Sequence, residues 1–164
     1  MGSWLRRLMI NWPARHAPDK TRVHVKNDME MDSKSEVVWA WLVRAPLWPT
    51  WYANSAEVVI EGGSSDLRAG STFHWKTFGA SLTSKVEEFE PCERLAWSAR
   101  GTGIDAYHAW LIEATPKGCH VLTEETQNGW LVGINAILRP NHTHKWHQTW
   151  LEGLRSQARK GTPP

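Results

Sequence analysis

Between residues 56 and 129 the chain is cut at short intervals by turn-forming residues, and this punctuation limits the fold more than any other feature. Gly62-Gly63-Ser64-Ser65, Gly70, Gly79, Pro91, Gly101, Gly103, Pro116-Lys117-Gly118 and Asn128-Gly129 separate stretches too short for ordinary helices. No helical period runs through the segments between them. Each reads as a strand: 56–61, 71–78, 82–90, 94–99, 104–114 and 119–126. Strands in succession with short connections make an antiparallel meander. A further strand at 21–30 precedes them, with Val23 and Val25 alternating against Arg22, His24 and Lys26, for seven in all.

Helical periodicity appears on either side of the meander. After strand one, Asp32 or Ser33 can cap a helix through Glu36, Val37, Val38, Trp39, Trp41, Leu42 and Val43. Pro46 and Pro49 break it, and the segment around Trp48 and Trp51 fits a short second helix. From Leu131 onward one stripe holds Leu131, Ile134 and Leu138 and another holds Trp146, Trp150, Leu151 and Leu154. Pro140 is expected to open the main helix, over 141–159. The fold class is therefore α+β: seven antiparallel strands, two short helices between strands 1 and 2, and a long C-terminal helix. Residues 1–20 form an N-terminal extension able to make a short helix, 21–160 the domain, and 161–164 a polar tail ending in two prolines, expected to fray.

A period of two assigns faces within the strands. Phe73 goes with Trp75, Leu82 with Val86, Leu95 with Trp97, His108 with Trp110 and Ile112, and Val121 with Thr123 and Glu125. Leu122 competes with Val121 for the interior. Lys76, Lys85, Glu87, Arg94, Glu113 and Glu124 fall on the other, solvent side; His74 and Tyr107 also point away from the aromatic face. Twelve tryptophans in 164 residues gain meaning from this placement, because several line one face of neighbouring strands.

The order of elements resembles that of the helix-grip proteins, the SRPBCC superfamily that holds the START lipid-transfer domains and the birch-pollen-allergen-like proteins. Glu36-Val37-Val38-Trp39, then Leu42, then Trp48-Pro49-Thr50-Trp51 is similar to the opening of the polyketide cyclase/dehydrase-like branch. Gly70 to Trp75, Glu90 to Trp97, His108-Ala109-Trp110, Gly118 to Glu125 and Trp150 to Leu154 follow in that branch's order. The resemblance covers residues 22–158 and implies the helix-grip arrangement, a seven-stranded curved antiparallel sheet wrapped round the long C-terminal helix, with a cavity between them that takes an apolar guest. It implies no reaction, because the superfamily spans carriers, sensors and cyclases.

Trp51, Phe73, Trp75, Trp97, Trp110, Thr123, Leu138, Trp146 and Trp150 are the candidate ligand-binding residues for a small hydrophobic or aromatic molecule. The competing reading is that the rings only fill a dry core. His108 and Glu125, on interior faces, are candidate catalytic residues: an acid and a base for a cyclase, dehydratase or hydrolase. Their plain alternative is a structural hydrogen bond. In the cluster His142, His144 and His147, residues 144 and 147 share a helical face while 142 and 144 lie about 200° apart. At most two ligands converge locally, so no metal and no cofactor are expected without a third ligand from elsewhere.

Other classes find little support. Basic residues collect at both ends (+5 over 1–26, +4 over 126–164) and the middle carries −7, with no concentrated basic face for nucleic acid. No apolar run is long enough to span a membrane, and the stretch 1–12 lacks a cleavage site for export. Cys92 and Cys119 suggest a reducing cytoplasm. Phosphate loops and nucleophile elbows are missing. A third role is a protein-interaction module, in which Trp4, Leu5, Leu8 and Trp12 meet a partner; a homodimer would cover them.

Overall fold

The computed structural model describes residues 9–164. Seven strands form one curved antiparallel sheet: β1 (Val23–Met31), β2 (Ser55–Ile60), β3 (Thr72–Thr77), β4 (Ala80–Glu90), β5 (Arg94–Gly101), β6 (Ile104–Thr115) and β7 (Gly118–Asn128). Their order across the sheet is β1-β7-β6-β5-β4-β3-β2, so the six consecutive strands form a meander and β1 closes it beside the last. Between β1 and β2 lie helix α1 (Ser35–Val43) and a 3-10 helix (Ala45–Thr50). After β7 come α2 (Trp130–Leu138) and α3 (His142–Ala158). Among the described residues, no helix is long and apolar enough to cross a membrane.

Helix α3 packs against β1, β7 and α1 on the concave side of the sheet. Its buried residues, His147, Trp150, Leu151, Leu154 and Ala158, recur every three or four positions and make one stripe. Asn27 of β1 ties the helix down, donating to the His144 carbonyl at 3.2 Å and to Gln148 Oε1 at 3.3 Å. Gly153 permits a close approach on the other side: a Cβ there would stand 3.0 Å from both the Trp51 ring and the Trp51 carbonyl.

The helix expected after Pro140 runs over His142–Ala158, and the stripe of Leu131, Ile134 and Leu138 before it belongs to a separate helix, α2. Pro140 precedes α3 rather than opening its first turn, and Asn141 takes a left-handed conformation (φ 64°, ψ 7°) that turns the chain between α2 and α3. Nor do Asp32 or Ser33 cap α1: Lys34 precedes the helix, and Asp32 instead pairs with Arg159 at 2.9 Å. The tail expected to fray lies along α1, where the Gly161 carbonyl accepts the Trp41 indole N–H at 2.7 Å and the Pro164 carbonyl accepts from Arg44.

Faces follow the expected parity in β3, β6 and β7. Ser84 is tolerated inside because its hydroxyl accepts the Trp75 indole N–H at 3.0 Å. In β4 a bulge between Val86 and Glu88 flips the alternation. Phe89 therefore turns inward, against Trp39, with ring centroids 5.2 Å apart.

The outer face of the sheet is also covered, which corrects the placement of Arg94 in solvent. Residues 9–20 run across it: Ile10 and Trp12 pack on a small cluster of Ala96, Tyr107 and Ala109. Arg94, 7% exposed, donates to the Met9 carbonyl at 2.7 Å and approaches Glu88 at 3.1 Å. Glu88 also accepts from the Tyr107 hydroxyl (2.8 Å) and the Asn11 amide side chain (2.8 Å). Trp12 thus meets its own chain; Trp4, Leu5 and Leu8 lie outside the described residues.

Candidate functional site

Trp48, Trp97, Trp110 and Trp150 are wholly buried and fill one half of the space between sheet and helix. Trp48 is the hub: its ring lies 5.2–5.9 Å from those of Phe73, Trp75, Trp97 and Trp150, and its N–H donates to the Leu42 carbonyl at 3.0 Å. Tyr52 stacks flat on Trp150, with centroids 4.3 Å apart. This half is solid.

The other half is a cavity of about 470 Å³. Its floor is built where inward-facing side chains become small, at Ala99 of β5 and Ala106 of β6, a cross-strand pair. Val23 and Val25 of β1 form one wall, the edges of Trp75, Trp97 and Trp150 another, and Val132, Asn135 and Ala136 of α2 the roof. The roof is held at its start by a close passage of two glycines. Gly129 (φ +115°) has the Gly103 carbonyl oxygen where its Cβ would be, at 2.2 Å, and the Leu131 N–H donates to the same carbonyl. The outer face of α2 is apolar and exposed, with Trp130, Ile134, Ile137 and Leu138 between 47% and 81% accessible.

Where the cavity meets the aromatic core, three polar side chains converge. His108 and Glu125 are direct partners in the β6–β7 register, so both face inward at one level. His147 reaches them from α3. Glu125 accepts from His147 Nε2 at 2.8 Å on one oxygen and from the Gln127 amide at 2.7 Å on the other. His108 Nδ1 lies 3.4 Å from the oxygen shared with His147, and His108 Nε2 is 2.6 Å from the Thr123 hydroxyl. The His108 ring is sandwiched between Trp110 (5.3 Å, 20° between planes) and His147 (4.7 Å, 16°).

This enclosure decides the charges. Burial drives the His108 imidazole down to about 3, against the opposing pull of Glu125, so the ring is neutral near pH 7. Burial also resists ionisation of Glu125, but the neighbouring imidazoles and the Gln127 amide outweigh it and hold the carboxyl below its ordinary value. An ionised carboxylate only accepts hydrogen bonds, which puts the proton on His147 Nε2. Nδ1 of His147 is then buried without a partner among the described residues. The indole N–H groups of Trp97, Trp110 and Trp150 share that condition.

Of the residues expected to bind ligand, Trp75, Trp97 and Trp150 border the cavity together with His108 and Glu125. The others sit elsewhere for identifiable reasons. Phe73 and Trp110 belong to the solid half, Trp110 stacked behind His108. Thr123 lies beneath His108 as its hydrogen-bond partner. Trp51 lies over Gly153 on the far side of α3, and Trp146 packs edge-on to Tyr52. Leu138 is 71% exposed because α2 turns its Asn135–Ala136 side, not its Ile134–Leu138 side, to the cavity. His147, read from the sequence only as sharing a helical face with His144, is the member whose place beside His108 and Glu125 the sequence does not show. Its partners lie on other elements, and only its spacing from Trp150, Leu151 and Leu154 marks it as part of the buried stripe.

No family model matches the sequence, and no curated protein does. Solved structures do. The hypothetical protein jhp0584 from Helicobacter pylori superposes with a TM-score of 0.84 at 30% identity, covering 92% of this chain and 96% of that one. The di-domain ARO/CYC StfQ from the steffimycin biosynthetic pathway gives 0.69 at 14% identity over 89% of this chain, which spans about half (54%) of that protein. TTHA0849 from Thermus thermophilus gives 0.67 at 14% identity, over 84% of this chain and 98% of that one. The last two likenesses are of fold.

Proposed function

Since the chain belongs to the family of the Helicobacter pylori protein jhp0584 and carries the helix-grip fold, we propose that it binds a small hydrophobic, ring-containing molecule between sheet and helices. The observation that carries this reading is the cavity itself: about 470 Å³, bounded by the edges of Trp75, Trp97 and Trp150 and also by polar side chains, Arg22, Lys26, Arg139 and His144 among them. Pockets for small molecules combine apolar walls with polar groups that fix orientation. The volume suits a guest of two to four fused or linked rings or a folded acyl chain. StfQ, an ARO/CYC protein of the same fold, makes an aromatic polyketide a sensible first probe.

Acid–base chemistry on that guest is a second reading, favoured by the His147–Glu125–His108 contacts at the cavity's inner end. An anionic Glu125 would accept a proton through His147. On this reading His108→Ala and Glu125→Gln abolish turnover with the fold intact.

Native mass spectrometry of the purified protein tests the binding proposal, followed by tryptophan fluorescence against aromatic polyketides, sterols, flavonoids and fatty acids. Trp97 and Trp150 border the cavity, so an occupant shifts or quenches their emission. A protein that retains no compound and responds to none of the four classes contradicts the proposal.

A further inference from the structure

Helix α3 offers too few ligands of its own for a metal, but the fold brings two more to it. Among the described residues, one ligand atom each from His108, Glu125 and His147 lies within 4.8 Å of the other two, and all three side chains are buried. We propose that they form a binding site for one divalent first-row transition ion of the zinc type, opening on the cavity.

Spacing supports the assignment. Ligands held at about 2.0–2.2 Å from such an ion stand about 2.8–3.6 Å apart at adjacent octahedral or tetrahedral positions. His108 Nδ1 is 3.4 Å from the Glu125 oxygen, and His147 Nε2 is 2.8 Å from that same oxygen. Bringing both imidazoles onto one ion requires the two rings, stacked 4.7 Å apart at 16°, to turn about their side-chain bonds until His108 Nδ1 and His147 Nε2 aim at a common point.

The chemistry of the set agrees. Two imidazoles and one carboxylate, on three different elements, suit zinc, iron(II) or cobalt(II) and disfavour the oxygen-seeking magnesium and calcium. Three protein ligands leave at least one position open, as in sites that bind a further molecule at the metal. All three residues border the cavity, so that position has space for a guest oxygen.

Supporting contacts of the kind that orient metal ligands are also in place. His108 turns its other nitrogen to the Thr123 hydroxyl at 2.6 Å, and Glu125 rests its second oxygen on the Gln127 amide at 2.7 Å. On loading, the His108 ring keeps its proton at Nε2, donating to Thr123. His147 moves its proton from Nε2 to Nδ1, the buried nitrogen that has no other partner among the described residues. One carboxylate against a doubly charged ion leaves a net positive site, which favours an anionic oxygen from the guest. The ion's binding is independent of the ring-compound reading, because it needs only these three side chains.

The test is a titration of the full chain, stripped with a chelator, with zinc by calorimetry and with cobalt(II) by visible absorption. The expected result is one ion per chain, a cobalt spectrum of nitrogen and oxygen ligation, and a loss of affinity exceeding about 100-fold in Glu125→Gln and in His147→Gln. His142→Gln and His144→Gln, on the same helix, leave the affinity unchanged. Absence of binding in the folded wild-type protein, or equal binding by His147→Gln, overturns the proposal. Should the buried variants fail to fold, X-ray absorption of the zinc-loaded wild type decides: two imidazoles with a carboxylate support it, any other ligand set overturns it.

Discussion

Thr123 shows how much of this interior depends on single polar contacts. Its hydroxyl is the only described partner of His108 Nε2, in a place that water does not reach. Thr123→Val keeps the shape and leaves that nitrogen bare, and should cost about 1–3 kcal/mol. Thr123→Ser should recover most of it, and urea denaturation of the three proteins checks the order. Trp48 is the apolar counterpart: truncation to alanine removes the ring on which four others pack and should cost about 3–5 kcal/mol by the same measurement. At this scale parity is a reliable guide, since His108, Thr123 and Glu125 all lie inward where alternation along β6 and β7 puts them. The residues that alternation misjudges are those whose surroundings come from elsewhere in the chain. Arg94 alternates outward and is nevertheless buried, because residues 9–12 lie over it.

Among the elements, the N-terminal segment has a pH response of its own. His16, 1% exposed, sits in a 3-10 turn (Ala14–His16) against Tyr107, with Thr126, Asp105, Arg15 and Arg100 as its polar neighbours. Burial lowers its affinity for a proton, opposed by Asp105 and aided by Arg15 and Arg100. A histidine held neutral in the fold stabilises fully above its ordinary value of 6.5, and that contribution is lost as pH falls below it. The wild type should therefore lose more thermal stability than His16→Gln between neutral pH and about pH 5.5, measured as the shift in Tm. Helix α3 gives a second prediction at this scale. Glycine inside a helix ordinarily costs about 1 kcal/mol relative to alanine, but Gly153 faces Trp51 at 3.0 Å, so Gly153→Val should lower Tm rather than raise it. The break between α2 and α3 falls at Pro140, where the sequence places it, but the left-handed state of Asn141 that turns the chain there is reported by no periodicity.

For the molecule as a whole, the decisive property is that the groove between sheet and helix is filled at one end and hollow at the other. Seven strands, the meander of the last six and the covering helix can be read from turn residues and alternation, because both are local signals; the pairing of β1 beside β7 cannot. The division of the groove cannot. It depends on which of the twelve tryptophans stack on Trp48 and on where small residues, Ala99 and Ala106, meet across β5 and β6. Those contacts join residues far apart in sequence. Ala106 supplies the most direct test: it is buried, faces the cavity and carries no polar group of its own. Equilibrium binding of the ring-compound panel should be measured side by side on the wild type and on Ala106→Trp, with circular dichroism to establish that both are folded. The account predicts binding by the wild type and its loss in the variant; equal binding by both would contradict it.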